Sequence, residues 1–145
     1  AKIAAWSGVR VVIAAATAEN VVVDALAGRP VGTAFAPRPT RLSSRKLWIA
    51  FAHGAQGRIV VDDGARTALV SGGKSLLAAG VRAVEGRFAA DAPVEIVGED
   101  AKVFAKGLSR YSAAQLRSVA GKRTADLPEG LPHEAVHRDD LVVLP

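Results

Sequence analysis

Residues 57–88 alternate between the hydrophobic pattern of a strand and that of a helix. The run Arg58–Asp62 is apolar and β-branched at its centre, which predicts a strand. Asp63-Gly64 ends the run and is predicted to cap a helix, since Asp accepts hydrogen bonds from free backbone N–H groups. The apolar residues of that helix share one face: Ala65, Ala68 and Leu69. The pattern therefore predicts a short strand that leads into a short helix.

Glycines mark the end of this helix and the bounds of a second strand. Gly72-Gly73 stops the helix because glycine accepts the positive φ of a C-terminal cap. Gly80 and Gly86 then bracket a second extended run, Val81–Val84. Residues 57–88 thus predict the order strand, helix, glycine-rich bend, strand.

The first thirty-five residues show the pattern of an α/β unit. Lys2–Ser7 is typical of the last turns of a helix, and the almost wholly apolar run Val9–Ala16 predicts a strand covered on both faces in a parallel sheet. Thr17 is the predicted N-cap of the next helix, and Val31–Phe35 is the next predicted strand. One face of that helix carries Val22, Ala25 and Leu26. This order predicts one βαβ crossover.

A single crossover has two strands and cannot cover both faces of its own sheet, so we expect the N-terminal part to belong to a larger α/β domain. Ser43 is the predicted N-cap of a further helix, with Leu42 and Leu47 placed around it as a hydrophobic staple. We expect His53 to be an exposed residue of the linker that follows. The chain has no Met, which also favours a piece of a longer protein.

The remaining residues show the pattern of a small β domain. Val94–Val97 and Lys102–Arg110 are predicted strands. Ser112 and Gln115 form the S-x-x-Q pattern of a capping box, which predicts a helix whose buried face carries Leu116, Val119 and Ala120. After a loop, Val136–Leu144 is the predicted closing strand.

Three motifs within residues 61–88 resemble the PUA domain of the glutamate 5-kinase family: VDDGA from Val61, GKSLLAAGV from Gly73 and VEGRF from Val84. The resemblance extends over the whole chain. It implies an α/β remnant, one βαβ unit at the end of an amino-acid kinase domain, over residues 1–54, followed by a mixed β-barrel PUA domain with short helices over residues 55–145. The family has glycine in the turn where this chain has Asp91, so we expect that turn to diverge.

The resemblance also implies a function for the longer protein. Members of this family transfer the γ-phosphate of ATP, with Mg²⁺, to the side-chain carboxylate of L-glutamate in the first step of proline biosynthesis. Ala1 and Lys2 match the end of a glycine-rich segment that contacts the ATP phosphates, and the catalytic residues would precede Ala1. We therefore expect no catalytic or metal-binding residue in this chain, no bound cofactor and no kinase activity of the chain alone.

The resemblance leaves two roles open for the PUA domain. It could be a structural or regulatory module that contacts kinase domains and other subunits of a homo-oligomer. It could instead bind RNA, because the net charge is +5 and the glycine-rich bend approaches RNA in PUA domains of RNA-modifying enzymes. The candidate RNA contacts are Lys74, Arg82 and Arg87. We favour regulation, and we expect solvated side chains at the basic concentration of Arg38, Arg41, Arg45 and Lys46.

Other function classes are disfavoured by what the sequence lacks. The chain has no Cys, which excludes disulfides and thiolate chemistry, and no run approaches the roughly 18 apolar residues of a membrane span. We expect a cytoplasmic protein with no membrane partner. The string from His133 to His137 matches the HExxH of zinc peptidases, but Val136 onward is strand-like, whereas that site needs a helix. Gly73-Lys74-Ser75 resembles the end of a P-loop, but Ala68 stands where its first glycine belongs.

Overall fold

The computed structural model describes residues 1–39, 41–51 and 54–144 of the chain. The chain divides into two compact units, Ala1–Leu47 (unit 1) and Trp48–Pro145 (unit 2). The predicted domain boundary after residue 54 stays a prediction, and His53 lies outside the described residues. No helix in the described ranges is both long and apolar enough to cross a membrane.

Unit 1 is a small unit of helices and strands, as predicted. Its elements are α1 (Lys2–Trp6), β1 (Val11–Ile13), α2 (Val21–Leu26), β2 (Thr33–Phe35) and the start of α3 (Ser44–Phe51). Trp6 is buried, and the guanidinium of Arg38 lies 4.3 Å from the centre of its ring. The hydroxyl of Ser43 accepts a hydrogen bond from the Lys46 N–H at 3.3 Å, which confirms the predicted N-cap of α3.

The two strands of unit 1 pair antiparallel, so the parallel direction predicted for the βαβ crossover is wrong. Val11 lies opposite Phe35, and Ile13 lies opposite Thr33. The two segments approach closely at the end of this pair: a Cβ at Gly32 would overlap the carbonyl oxygen of Ile13, so glycine is needed there. The predicted eight-residue strand shortens to three residues, and Ile13 is 55% exposed rather than covered, since β1 pairs only with β2 among the described strands.

The helix of unit 1 between these strands begins later than predicted. Asn20, not Thr17, is its N-cap, with the left-handed φ of 53° that Asn tolerates better than most residues. The expected apolar face exists but is open in the described part of unit 1: Val22 is 68% exposed and Leu26 is 85% exposed. Helical spacing predicted which residues share a face, whereas burial depends on what packs against that face.

Unit 2 contains the predicted strand, helix, bend and strand of residues 57–88. Its elements are β3 (Gly57–Val61), α4 (Asp63–Gly72), β4 (Leu76–Leu77), β5 (Val81–Gly86), β6 (Pro93–Val97), β7 (Val103–Leu108), α5 (Ala113–Val119), β8 (Glu134–Val136) and β9 (Leu141–Val143). Short 3-10 turns occupy Ala78–Gly80, Thr124–Asp126 and Arg138–Asp140. The two-residue strand β4 was not predicted, because two residues are too few to show a period.

A five-stranded mixed sheet forms the centre of unit 2. Its order is β5-β3-β6-β7-β9, with β3 and β6 parallel and the other neighbours antiparallel. β4 and β8 form a separate antiparallel pair. Both sheets contribute to one apolar core, whose fully buried side chains include Ile59, Ile96, Leu76 and Val136. A mixed sheet with short helices confirms the predicted fold class of this part.

Short polar motifs begin the helices of unit 2. Asp62, one residue before the predicted cap, accepts a hydrogen bond from the Ala65 N–H at 2.8 Å and caps α4. Ser112 and Gln115 make both bonds of the predicted capping box, at 3.3 and 3.0 Å. Leu116 and Val119 of α5 are buried, as predicted, whereas Ala120 follows the last helical residue and is only partly buried.

Two connections in unit 2 differ from expectation. The predicted closing strand Val136–Leu144 is interrupted by a 3-10 turn, because Nδ1 of His137 accepts a hydrogen bond from the Asp139 N–H at 3.2 Å and caps that turn. The turn at Asp91 did not diverge as expected, because Asp91 adopts the positive φ that glycine would adopt there. Asp91 has φ 63°, and its N–H donates to the carbonyl of Ser109 at 2.6 Å.

Candidate functional site

A groove of about 590 Å³ lies on unit 2 between α4 and the segment that carries β4 and the following 3-10 turn. We call it the α4–β4 groove. Most of its lining is apolar and comes from Ala65, Ala68, Leu69, Leu76, Leu77 and Ala79. The sequence patterns did not predict this groove. The signal available was the row of small residues on α4, Ala65 and Ala68, near a second small cluster at 78–80.

Glycines allow the two walls of the groove to approach each other. A Cβ at Gly80 would lie 2.5 Å from the Cβ of Ala65, closer than real side-chain carbons approach, so only glycine permits this packing. Gly73 has φ 56°, ends α4 in the left-handed conformation and directs the chain into β4. The glycine-rich bend predicted from sequence therefore shapes one end of the groove.

The carboxylates at the groove already have cationic partners. Oδ2 of Asp62 lies 2.9 Å from the guanidinium of Arg82, while its Oδ1 caps α4. Oε2 of Glu134 lies 3.3 Å from the guanidinium of Arg110. Each carboxylate charge is therefore balanced by a neighbouring arginine.

Lys74 differs from these groups. Its side chain is exposed, lines the groove and makes no ion pair or hydrogen bond within the described part of the chain. Its stem folds back over Gly72, whose added Cβ would lie 3.3 Å from Cγ of Lys74. Beside it, the hydroxyl oxygen of Ser75 accepts a hydrogen bond from the Arg138 N–H at 3.0 Å. The groove lining thus carries one cation without a partner.

The three candidate RNA contacts do not form one patch. Lys74 lines the α4–β4 groove, and Arg82 is the ion-pair partner of Asp62, which lines the same groove. Arg87 follows the last residue of β5, whereas Arg82 is the second residue of that strand and lies about 13 Å before its end at about 3.3 Å per residue. Lys74 is exposed as an RNA contact would need to be, but Arg82 is already paired with a carboxylate.

Ala1 and Lys2 lie at the start of α1, and both are exposed. An exposed lysine on its own does not make a nucleotide site, because phosphate binding in proteins combines several backbone N–H groups with cations. Ala1 and Lys2 therefore do not by themselves fit ATP and Mg²⁺. Whether Lys2 contacts ATP in a longer protein stays a prediction.

The HExxH string is not helical in the structure. Glu134 belongs to β8 and pairs with Arg110, while His137 lies beyond that strand and caps the next turn. Zinc peptidases need both imidazoles on one face of a helix. Within the described residues, no group of three or more His, Asp or Glu side chains is arranged to hold a metal ion.

Tyr111 connects the end of the sheet to the loop before β8. Its ring is fully buried, and its hydroxyl donates a hydrogen bond to the carbonyl of Pro132. Burial raises the pKa of Tyr111, and the negative charge of Glu134 raises it further. These contacts are structural, because the side chain points into protein and does not line the groove.

The net positive charge of the chain comes entirely from unit 1. That unit carries 7 Lys and Arg residues against 2 Asp and Glu, whereas unit 2 carries 12 of each. The net +5 of the chain therefore says nothing in favour of a basic surface on unit 2. Among the described residues of unit 2, ion pairs with carboxylates are made by Arg58, Arg66, Arg82, Arg110 and Arg138.

The mixed sheet, its capped helices and the glycine-shaped groove define a small mixed β domain. The family model of the PUA domain matches residues 57–131, just over half of the chain. The chain therefore belongs to the PUA domain family.

The chain is also similar to glutamate 5-kinases. It is 47% identical over 142 residues to the glutamate 5-kinase of Myxococcus xanthus, which covers 95% of this chain and 38% of that protein. It is 50% identical over 123 residues to that of Anaeromyxobacter dehalogenans, which covers 82% and 32%. The chain thus spans about two-fifths or less of these relatives.

Among solved structures, the chain is similar to a PUA domain from Aeropyrum pernix K1. The identity is 28% and the TM-score 0.46, over 57% of this chain and 43% of that one.

Proposed function

We propose that this chain is the C-terminal part of a glutamate 5-kinase, and that its PUA domain is a structural and regulatory module of that enzyme. The longer protein would transfer the γ-phosphate of ATP, with Mg²⁺, to the side-chain carboxylate of L-glutamate and form L-glutamyl 5-phosphate. Catalytic residues would lie in the part that this chain lacks. The observation that carries the proposal is the 47% identity to the Myxococcus xanthus enzyme over 95% of this chain.

The open apolar face of unit 1 supports this proposal. Val22, Val23 and Leu26 of α2 are 64–85% exposed. Val22 and Leu26 also line a groove of about 480 Å³, whose other lining residues are Arg10, Val12, Ala14, Val21 and Ala25. Contiguous apolar surface of this kind is uncommon on a finished soluble domain. We propose that the kinase domain of the longer protein covers it.

A chimera tests the proposal directly. The segment of the Myxococcus xanthus enzyme that matches this chain is replaced by this chain, and ADP formation that depends on glutamate is measured. We expect activity within about tenfold of the parent enzyme, and no activity from this chain alone. A chimera that folds and assembles like the parent but is inactive would contradict the proposal, as would robust glutamate-dependent ADP formation by the chain alone.

The regulatory role needs a separate measurement. Deleting the segment that matches residues 57–145 from the Myxococcus xanthus enzyme should change its subunit assembly or its inhibition by proline. Glutamate-dependent catalysis should persist. Sedimentation and inhibition curves of the deleted and full enzymes report both properties. Unchanged assembly together with unchanged inhibition would count against regulation.

RNA binding is the alternative function, and the exposed Lys74 at the glycine-rich bend is the observation in its favour. The equal numbers of acidic and basic residues in unit 2 favour regulation instead, since nucleic-acid domains concentrate positive charge. Binding of this chain to a structured RNA is measured across a salt series. Affinity that falls steeply with salt and that Lys74→Gln weakens would support RNA binding.

A further inference from the structure

The α4–β4 groove has the size and character of a small-molecule site. Such sites are typically about 300–1,000 Å³, mostly apolar, with a few polar groups that orient the ligand. The groove has a volume of about 590 Å³, an apolar floor that includes Ala65, Ala68 and Leu77, and polar groups at Lys74 and Ser75. Leu77 is 42% exposed, so apolar surface remains for a ligand to cover.

The charges of the groove select the ligand further. Asp62 and Glu134 are balanced by Arg82 and Arg110, at 2.9 and 3.3 Å. Lys74 lines the groove without an ionic partner in the described part of the chain. With its paired arginines, the site therefore carries one net positive charge, which favours a ligand with one negative charge.

The polar groups next to Lys74 also suit an anion. The oxygen of Ser75 is held by the Arg138 N–H, and its hydroxyl hydrogen has no acceptor among the described contacts. An ammonium and a hydroxyl on adjacent residues can both donate to one carboxylate. A nucleic acid, by contrast, needs several cations for successive phosphates, and this groove supplies one.

We propose that the α4–β4 groove binds a small apolar carboxylate. Its apolar body would lie on Ala65, Ala68 and Leu77, and its carboxylate would accept hydrogen bonds from Lys74 and Ser75. This site is assigned from unit 2 alone and does not rest on the proposed kinase relationship. It gives the domain a ligand-binding surface of its own.

The test uses two carboxylates and their neutral isosteres on the isotope-labelled full chain. The probes are cyclohexanecarboxylate and 4-phenylbutanoate, and each is compared with its neutral carboxamide. The readout is the NMR spectrum of the backbone N–H groups of the protein. We expect saturable shifts confined to residues 64–80 and Glu134 with the carboxylates, and at least about fivefold weaker binding of the amides. A short oligouridylate is titrated in parallel.

Three variants separate the contributions. Lys74→Gln should weaken carboxylate binding about fivefold and leave the amides unaffected, whereas Lys122→Gln, which removes an exposed charge outside the groove lining, should change neither. Ala68→Leu fills the groove and should abolish binding of both probe types. The melting temperature and spectrum of each variant establish that it is folded.

Any one of four results would overturn the proposal. One is the absence of saturable shifts with either carboxylate. Another is equal binding of carboxylates and amides, or equal binding by the chain and its folded Lys74→Gln variant. The last is tighter binding of the oligouridylate with shifts of the same backbone N–H signals, which would assign the groove to RNA. None of these outcomes depends on whether the Myxococcus xanthus chimera is active, so the two proposals fail separately.

Discussion

At the scale of single residues, Tyr111 is a built-in reporter, because it is the only tyrosine of the chain. Its pKa is raised by burial and by Glu134, so the folded state keeps the phenol proton at a pH where the unfolded chain, with a pKa of about 10, has lost it. Tyr111 therefore stabilises the fold fully below about pH 10, and this contribution is lost as the pH rises through the folded pKa. Ultraviolet titration of tyrosinate and melting temperatures across alkaline pH measure both effects.

The matched variant is Tyr111→Phe, which keeps the ring and removes the hydroxyl. It should cost about 1 kcal/mol at neutral pH, since the carbonyl of Pro132 loses its donor. Its melting temperature should then decline less than that of the unchanged chain as the pH rises above 10. A tyrosinate titration at or below the value of a free tyrosine would show that the phenol is not shielded from water.

Gly107 packs so closely against Val136 and Asp140 that no side chain fits at this position. A Cβ there would lie 2.5 Å from Cγ1 of Val136 and 2.9 Å from the carbonyl oxygen of Asp140. Gly107→Ala should therefore destabilise the domain by about 1–3 kcal/mol, because the backbone at Asp140 would have to shift to make room for the methyl group. Gly64→Ala is the control: its added methyl would meet only ordinary contacts in α4, so it should be neutral or slightly stabilising. Chemical denaturation of both variants measures the difference, and equal stabilities would contradict the packing argument.

At the scale of elements, α2 and α5 have the same apolar periodicity but different surroundings. Leu116 of α5 is fully buried, whereas Leu26 of α2 is 85% exposed. Leu26→Glu should therefore change the stability of this chain by less than about 0.5 kcal/mol. In the chimera with the Myxococcus xanthus kinase domain, the same change should lower the melting temperature by several degrees, because a charge would be buried. Equal, small effects in both proteins would show that this face is not covered there.

At the scale of the whole molecule, the predicted boundary after residue 54 can be tested by truncation. A chain that begins at Ala55 retains the hydrogen bond from the Gln56 N–H to the Pro93 carbonyl, at 2.8 Å, and all strands of the mixed sheet. We expect it to fold cooperatively, with amide shifts of residues 57–144 close to those of the full chain. The full chain is the control. Loss of cooperative melting on truncation would place the boundary earlier, within or before α3.

The local elements and the resemblance to a known family could both be predicted from residue types at fixed spacing. Backbone hydrogen bonds and φ preferences act over a few residues, so residue types at fixed spacing predict local elements. Examples are strand β3, the glycine that ends α4, the capping box of α5 and the N-cap at Ser43. Other features depend on residues that are far apart in the chain. They are the direction of the β1–β2 pair, the pairing of β4 with β8, the ion pairs of the groove carboxylates with arginines, which leave Lys74 without an ionic partner, and the groove itself. These features could not be predicted before the fold was known, because local preferences do not specify which distant surfaces meet.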